Sequence, residues 1–429
     1  MRRLRGTASR RARKESPQTI SGNISPLLSQ YGPALNDGVS AGGLPATARS
    51  WFDRGVTYLG IPRAGEAPGR AIGVDALRGF AILLVVLGHS ISNAENLLRA
   101  SGYNLEYYVS NFLYTFHMPL FFLVSGYVLF GKHIKVGDRA IRLMLPFFAW
   151  IPINWFVNRY IHHYPFPVRF GTTLKDTILQ PGMGLWFLPT LFLCSLLLIP
   201  VIHLEKVRSW FGEASLGIIF VAVNLLPYDK LGVLQVKYFF FFFAAGYLLS
   251  KHRGRIEQIG RERTAVALAL LSVAFLVSFT FLYYYGLIKP YAFPISLVDL
   301  FKTPSAYLIR YLMACLGILV SIGLIRALRT TRALKVFAWF GLVTMDIYVA
   351  HGLMIQLAFG SGWVKVLTGF VLGIVLSLAL SFLLLRQWWV SASVFLGIKR
   401  KKPAPGMEVS EETQDVFEER QVETTTPES

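Results

Sequence analysis

Runs of about 20 predominantly apolar residues recur through the middle of this chain, and about 20 is the length at which a helix crosses the hydrocarbon core of a bilayer. No other feature narrows the fold as much. The pattern predicts spans over residues 72–93, 111–130, 143–160, 185–203, 214–228, 235–250, 264–286, 306–325, 338–358 and 365–387. Composition agrees, since 54% of the 429 residues are hydrophobic, above the roughly 45–50% of soluble domains. Five consecutive phenylalanines, Phe239 to Phe243, suit lipid or a tightly packed bundle and little else. The expected fold is all-α: a polytopic membrane helix bundle of about ten transmembrane helices, with the lipid bilayer as its surroundings.

In a soluble protein the formal net charge of +19 would point to nucleic acid. Here Lys and Arg sit between the apolar runs, and no basic groove is interleaved with aromatics, so no nucleic-acid partner is expected. Their distribution orients the bundle instead, because cytoplasmic loops collect Lys and Arg. Lys132, Lys135, Arg139 and Arg142 follow the second run, and Lys206 and Arg208 the fourth. Lys251, Arg253, Arg255, Arg261 and Arg263 follow the sixth, Arg326, Arg329, Arg332 and Lys335 the eighth, and residues 399–402 the last. The alternate loops are sparser. Both termini are therefore expected inside (N-in/C-in), in a multi-pass protein of the cytoplasmic (inner) membrane.

Residues 1–70 mix Gly, Pro, Ser and Arg without periodicity and are expected to form a disordered basic cytoplasmic extension. The membrane domain then covers 71–402, and the acidic, Thr-rich 403–429 is expected to be a disordered cytoplasmic tail. No apolar segment follows the arginine-rich stretch from Met1 to Lys14, so no cleavable secretory signal is expected. That stretch suits either anionic headgroups or plain solvation. Cys194 and Cys315 both fall inside apolar runs, which favours neither a disulfide framework nor a metal site. Oligomeric state stays open, a homo-oligomer included.

Ionisable residues inside spans are costly and usually mark function. The first span, IGVDALRGFAILLVVLGHSISN, holds Asp75, Arg78 and His89. Eleven helical steps of about 100° bring His89 back over Arg78, roughly 16 Å further along the axis. Asp75, one turn below Arg78, is placed to pair with its guanidinium. The competing explanation is a snorkelling Arg78 with a surface partner and a polar helix end at His89. In the second span His117 lies towards the outer end, and with His89 it would line one outward-opening cavity. Ser125 and Gly126 lie deeper, where close helix packing is the favoured explanation. Arg139 and Arg142, three apart, share a helix face, and guanidinium forks suit phosphate oxygens, although the cytoplasmic charge bias accounts for them as well. In GLVTMDIYVAHGLM, Met345, Tyr348 and His351 fall in one stripe, with Gly341 before them and Asp346 among them.

In this order the motifs resemble a known family. ALRGFAILLVVLGHS places an Arg, ten residues and a His in the first membrane helix, and FHMPLFFLVSGYVL follows in the second. Then come Arg139-x-x-Arg142, GLWFLPTLF at 184–192, and G-x6-Y-x-x-H at Gly341, Tyr348 and His351. The set looks like acyltransferase family 3, integral-membrane enzymes that acylate carbohydrates. The Trp-Phe-Leu-Pro element is most similar to the branch related to fucose 4-O-acetylase. The resemblance covers about residues 72 to 390. One departure is Met345, where members usually carry Ser, and Asp346 is unusual there. No appended SGNH-type hydrolase domain is expected.

The resemblance implies O-acyl transfer from cytoplasmic acyl-CoA, most often acetyl-CoA, to a hydroxyl of a cell-surface or exported glycan or its glycolipid precursor. Acyl-CoA is the donor substrate, and no permanently bound cofactor or metal is expected. A sugar hydroxyl is a poor nucleophile at neutral pH, and a neutral histidine can take its proton in the transition state. His89 is the expected base, with Arg78 on the thioester side or a CoA phosphate and Asp75 as its partner. Arg139 and Arg142 would hold CoA phosphates. His117, Ser125, Trp186, Tyr348 and His351 would serve the acceptor or support the catalytic groups. A covalent acyl-His89 stays open. The rival readings are a transporter or flippase of a lipid-linked glycan, and a sensor or scaffold. No internal repeat of the transporter kind is visible.

Overall fold

The computed structural model describes residues 71–95, 105–161, 170–181, 185–254, 264–285, 287 and 304–399. The extension expected over 1–70 and the tail expected over 403–429 lie outside them. The described residues are helical, with no strand among them. In chain order the helices are α1 (Ile72–Glu95), α2 (Leu105–Tyr127), α3 (Val136–Phe156), α4 (Phe170–Leu179), α5 (Phe187–Val207), α6 (Ser209–Leu225) and α7 (Val233–Lys251). Then follow α8 (Thr264–Tyr284), α9 (Pro304–Ala327), α10 (Arg332–Leu342), α11 (Thr344–Met354), α12 (Gly362–Leu380) and α13 (Trp389–Leu396). π-helical turns extend α3 through Val157–Ile161 and α12 through Ser381–Leu385.

Each stretch expected to span contains helix, yet the helices differ in what they could cross. Among the described residues, six are long and apolar enough for a bilayer: Ile72–Ala94, Phe187–Val207, Val233–Lys251, Val266–Tyr284, Ser305–Thr330 and Gly362–Leu385. A seventh forms if α10 and α11 count as one span, bent by 76°. The chain is thus a multi-pass membrane protein. The remaining helices fall short for visible reasons. α2 carries Glu106, Asn111 and His117, α3 opens with Asp138, Arg139 and Arg142, and α6 has 17 residues.

Glycine sets how the bundle closes. A methyl group at Gly341 would stand 1.9 Å from the Asp75 carbonyl oxygen, and one at Gly79 would stand 1.7 Å from that of Phe337. Helices α1 and α10 therefore meet backbone to backbone. The same holds for α2 and α7, where a methyl at Gly126 or Gly246 would lie 1.9 Å from the Phe243 or Leu123 oxygen. In lipid, helices gain little from mutual hydrophobicity, so close packing across small residues holds them together. α1 is the hub, packed against α10, α2 and α12 and touching α9 and α11.

The phenylalanine run belongs mostly to this interior. Phe239, Phe240, Phe242 and Phe243 are buried, and Phe241 alone of the five is exposed. α8 is the opposite case, a peripheral helix that buries Phe275 and Phe279 and turns most of its other side chains outward.

Two polar links tie the C-terminal helices down. Asp346 on α11 accepts hydrogen bonds from Arg386 Nε at 2.7 Å and Nη2 at 2.9 Å, and another from the Ser381 hydroxyl. At the other tie, Gly397 ends α13 with φ +64°, and a Cβ there would lie 2.3 Å from the Arg142 carbonyl oxygen. Trp150 Nε1 donates to the Phe395 carbonyl at 3.1 Å, and Lys399 pairs with Asp138. The hydrogen bond from Lys399 holds the Asp138 carboxyl below the usual carboxylate range.

Candidate active site

The site begins with the far end of α1. Asn93 Nδ2 donates to the Ile355 carbonyl at 3.1 Å, fastening α1 to the turn after α11. Gly373 of α12 lies against Val86 and Ile355, so three helices converge there. The convergence brings His89 and His351 together, with ring centroids 5.2 Å apart. Tyr114 of α2 reaches His89 from the other side, its hydroxyl 3.4 Å from Nδ1. His117, one turn on from Tyr114, packs edge-on to that ring at 4.9 Å. His89 keeps exposed surface despite the rings that two other helices place against it, whereas His117 and His351 are buried.

The tautomers follow from the acceptors. His117 Nδ1 lies 2.7 Å from the Leu113 carbonyl oxygen, and His351 Nδ1 lies 2.7 Å from that of Tyr348. A carbonyl only accepts, so each Nδ1 carries the hydrogen and each neutral ring keeps its lone pair on Nε2. If His89 likewise gives Nδ1–H to the Tyr114 oxygen, its Nε2 is free to take a proton. Among the described residues no group of three His, Cys, Asp or Glu side chains is arranged to hold a metal ion.

Next to the histidines stands an aromatic wall. Tyr348 lies 5.9 Å from His351 and packs against Phe187, the first residue of α5, at 5.6 Å. Trp186 precedes it and stacks in a block with Phe239 at 5.1 Å and Phe122 at 6.4 Å. Ser125 is not drawn in. It sits two turns beyond His117, about 12 Å along α2, half-buried and with no hydrogen bond to a described residue.

A second group forms near the opposite end of α1. Arg78 stands 3.8 Å from Asp75, which is buried. Arg139 and Arg142 at the start of α3 come close enough for the guanidiniums to act on one another. Burial, then Arg142 and Arg78 beside it, push Arg139 down to about 10, so it stays charged at neutral pH. Three like charges sharing a small region favour a bound anion.

The two groups are not joined along the face that carries both. Ile82, Val85 and Val86 lie on α1 between Arg78 and His89, and all three are buried. The expected polar stripe is thus interrupted by sealed apolar packing. The sequence reading also passed over Tyr114, although its spacing of three from His117 on one helix was a usable signal. It left Asp346 without a partner. Arg386, a charged residue closing an apolar run, was the complementary sign.

This fold and site define a multi-pass membrane protein with an accessible imidazole at one end of its central helix and a guanidinium cluster at the other. Residues 72–386 match the acyltransferase-3 model, described as an acyltransferase domain. The chain belongs to that family. It is similar to nodulation protein NolL of Mesorhizobium japonicum, 26% identical over 220 residues, which are 49% of this chain and 56% of that protein. It is also similar to NolL of Sinorhizobium fredii, 27% identical over 196 residues, 43% of this chain and 50% of that one. The chain thus spans about half the length of the curated relatives it matches. No solved structure matches it.

Proposed function

We propose that the protein is an O-acyltransferase of the cytoplasmic membrane. It moves an acetyl group from cytoplasmic acetyl-CoA to a hydroxyl of an exported or cell-surface glycan, or of its lipid-linked precursor. The observation that carries this reading is His89, an exposed imidazole held against Tyr114 and His351 inside an apolar bundle. The Trp-Phe-Leu-Pro element supports the fucose 4-O-acetylase-related branch. The alternation of basic loops supports ten spans with both termini inside.

In this reading Arg139, Arg142 and Arg78 bind the CoA phosphates on the cytoplasmic side, and Asp75 orients Arg78. The pantetheine arm then carries the thioester towards His89, parting the packing around Ile82 and Val85. His89 Nε2 takes the proton of the sugar hydroxyl as its oxygen attacks the thioester carbon. Tyr114 fixes the ring by its contact with Nδ1, while His117 and His351 are held by their own Nδ1 hydrogen bonds to backbone carbonyls. Trp186 and Phe187 offer flat apolar faces to the acceptor sugar.

The test is direct. Purified protein in detergent, supplied with labelled acetyl-CoA and a sugar acceptor, should yield labelled ester and free CoA. His89→Ala should lose at least about a hundredfold in rate, the usual scale of general-base catalysis, at unchanged melting temperature. Full activity in His89→Ala would remove the base from the mechanism. Glycan movement without consumption of CoA ester would indicate a transporter.

A further inference from the structure

A guanidinium stands within the apolar span of α9, where an ionisable side chain is costly and usually marks function. Arg310 lies about 9 Å past the start of the helix at Pro304. Leu308 and Leu312, two steps to either side of it, are exposed. Two helical steps turn about 200°, so Arg310 is on the opposite, inward face. Ala314 and Gly317 share that face. Ala314 is fully buried, and a methyl group at Gly317 would stand 2.5 Å from Cβ of Phe116 on α2. An arginine turned away from lipid is not placed to snorkel, yet Arg310 keeps part of its surface exposed.

Among the described residues the partner of Arg310 is an aromatic face. Its Cζ lies 5.2 Å from the centroid of the Tyr238 ring on α7. Tyr311 packs against Tyr238 at 5.0 Å, and Tyr307 lies 6.4 Å from Tyr311. A ring attracts the charge but offers no anionic oxygen to the five N–H donors. From Tyr238 the rings continue to Phe239 at 4.9 Å, and from Phe239 to Trp186 at 5.1 Å. Gln235, one turn before Phe239 on the face that Tyr238 shares, is buried, and its side-chain oxygen makes no hydrogen bond. A hydroxyl would supply the donor it lacks.

This group is separate from the cluster of Arg78, Arg139 and Arg142. Met313, one turn on from Arg310, shares a buried cluster with Ile91 and Ala94 at the far end of α1. Arg310 therefore stands at the end of the bundle that holds His89. The ligand that suits the group is anionic at one point, hydroxylated beside it, and able to lie on rings. Those are the properties of a sugar phosphate. Within a bilayer, the acceptor that offers them is a lipid-linked precursor, whose phosphate sits where sugar and hydrocarbon meet.

We propose that Arg310 and the phenols about it bind the phosphate of a lipid-linked acceptor, so that the protein acylates a glycosyl phosphate or diphosphate lipid in preference to a neutral glycan. This rests on the acyltransferase reading above and deepens it by naming the acceptor class. Guanidinium forks match phosphate oxygens. With the phosphate held at Arg310, the sugar lies along Phe239 and Trp186, and Gln235 accepts from one of its hydroxyls.

The experiment uses the full chain in detergent and one glycan in two forms, a neutral alkyl glycoside and a prenyl diphosphate ester. In Arg310→Gln, KM for the diphosphate form should rise about ten- to a hundredfold, the scale of one charge-assisted contact. KM for the neutral form and for acetyl-CoA should stay within a factor of about two. Equal KM values for the two forms in wild type, or an unchanged KM for the diphosphate form in Arg310→Gln, overturn the proposal.

The second measurement needs no turnover and no variant. Farnesyl diphosphate, added in saturating CoA so that the other arginine cluster is filled, should raise the melting temperature of wild type. It should also inhibit competitively against the acceptor and not against acetyl-CoA. No rise in melting temperature overturns the proposal, and so does competition with acetyl-CoA. An equal rise with phosphatidylglycerol marks a site for ordinary membrane lipid and overturns it too. If wild type transfers acetyl to neither form of the glycan, the acyltransferase reading fails, while the melting temperatures still decide whether Arg310 holds a phosphate.

Discussion

The Asp346–Arg386 pair offers a sharp test of how the bent pair α10–α11 is held. The two side chains are 2% and 9% exposed and meet through two parallel hydrogen bonds. Charges about 4 Å apart at an effective dielectric of about 20 attract by about 4 kcal/mol. Removing one partner strands the other in the bundle, which costs about 3–5 kcal/mol in buried pairs. Asp346→Leu and Arg386→Leu should each therefore destabilise by that amount, or roughly 6–10 °C in melting temperature at about 2 °C per kcal/mol. The double variant Asp346→Leu/Arg386→Leu buries no charge. It should be more stable than either single variant and recover at least half the loss. Thermal unfolding of the purified proteins in one detergent measures all four corners of the cycle. If the double variant melts at the sum of the two single losses, the pair is not coupled and the reasoning fails.

Two further predictions concern packing and donor binding. Gly341→Ala must move α10 from α1 by about 1.5 Å, the difference between ordinary contact at 3.4 Å and the 1.9 Å available. It should lower stability by about 1–3 kcal/mol and cost most of the activity, whereas Gly73→Ala, with nothing within 4 Å, should do neither. Melting curves and acetyl-transfer rates compare the two. Arg139→Gln and Arg142→Gln should each raise KM for acetyl-CoA by about tenfold, from a charge-assisted hydrogen bond of about 1.5–3 kcal/mol, with kcat little changed. Because burial and the neighbouring guanidiniums place Arg139 at about 10, discharge on raising the pH weakens phosphate binding only near that value. Wild-type KM for acetyl-CoA should be flat across neutral pH and climb towards pH 10, while Arg139→Gln should show no such climb.

What the sequence could disclose depended on whether a property was local to one helix. Arg78 and His89 lie in one continuous helix, so their spacing alone fixed a shared face, and an ionisable group in an apolar run stands out without any knowledge of neighbours. The same reasoning placed His117 and paired Asp75 with Arg78. It did not disclose that Ile82, Val85 and Val86 seal the face between Arg78 and His89, because burial there is decided by the helices that pack against α1, chiefly α10, α2 and α12. The bent pair α10–α11 shows the limit most clearly. Read as a single helix, 338–358 puts Tyr348 and His351 on one stripe and nothing more. The 76° bend between α10 and α11 turns that stripe out of line with the helix before it. The turned segment has Tyr348 against the start of α5 and His351 against His89. No residue type announces such a bend, since residues 338–358 contain no proline. What compensates it lies far along the chain, in Gly341 against Asp75 and Arg386 against Asp346. A straightened α10–α11 would keep every residue of the motif and lose the contact of Tyr348 with Phe187, so the placing of Tyr348 and His351 depends on the packing that holds the break and not on the motif alone.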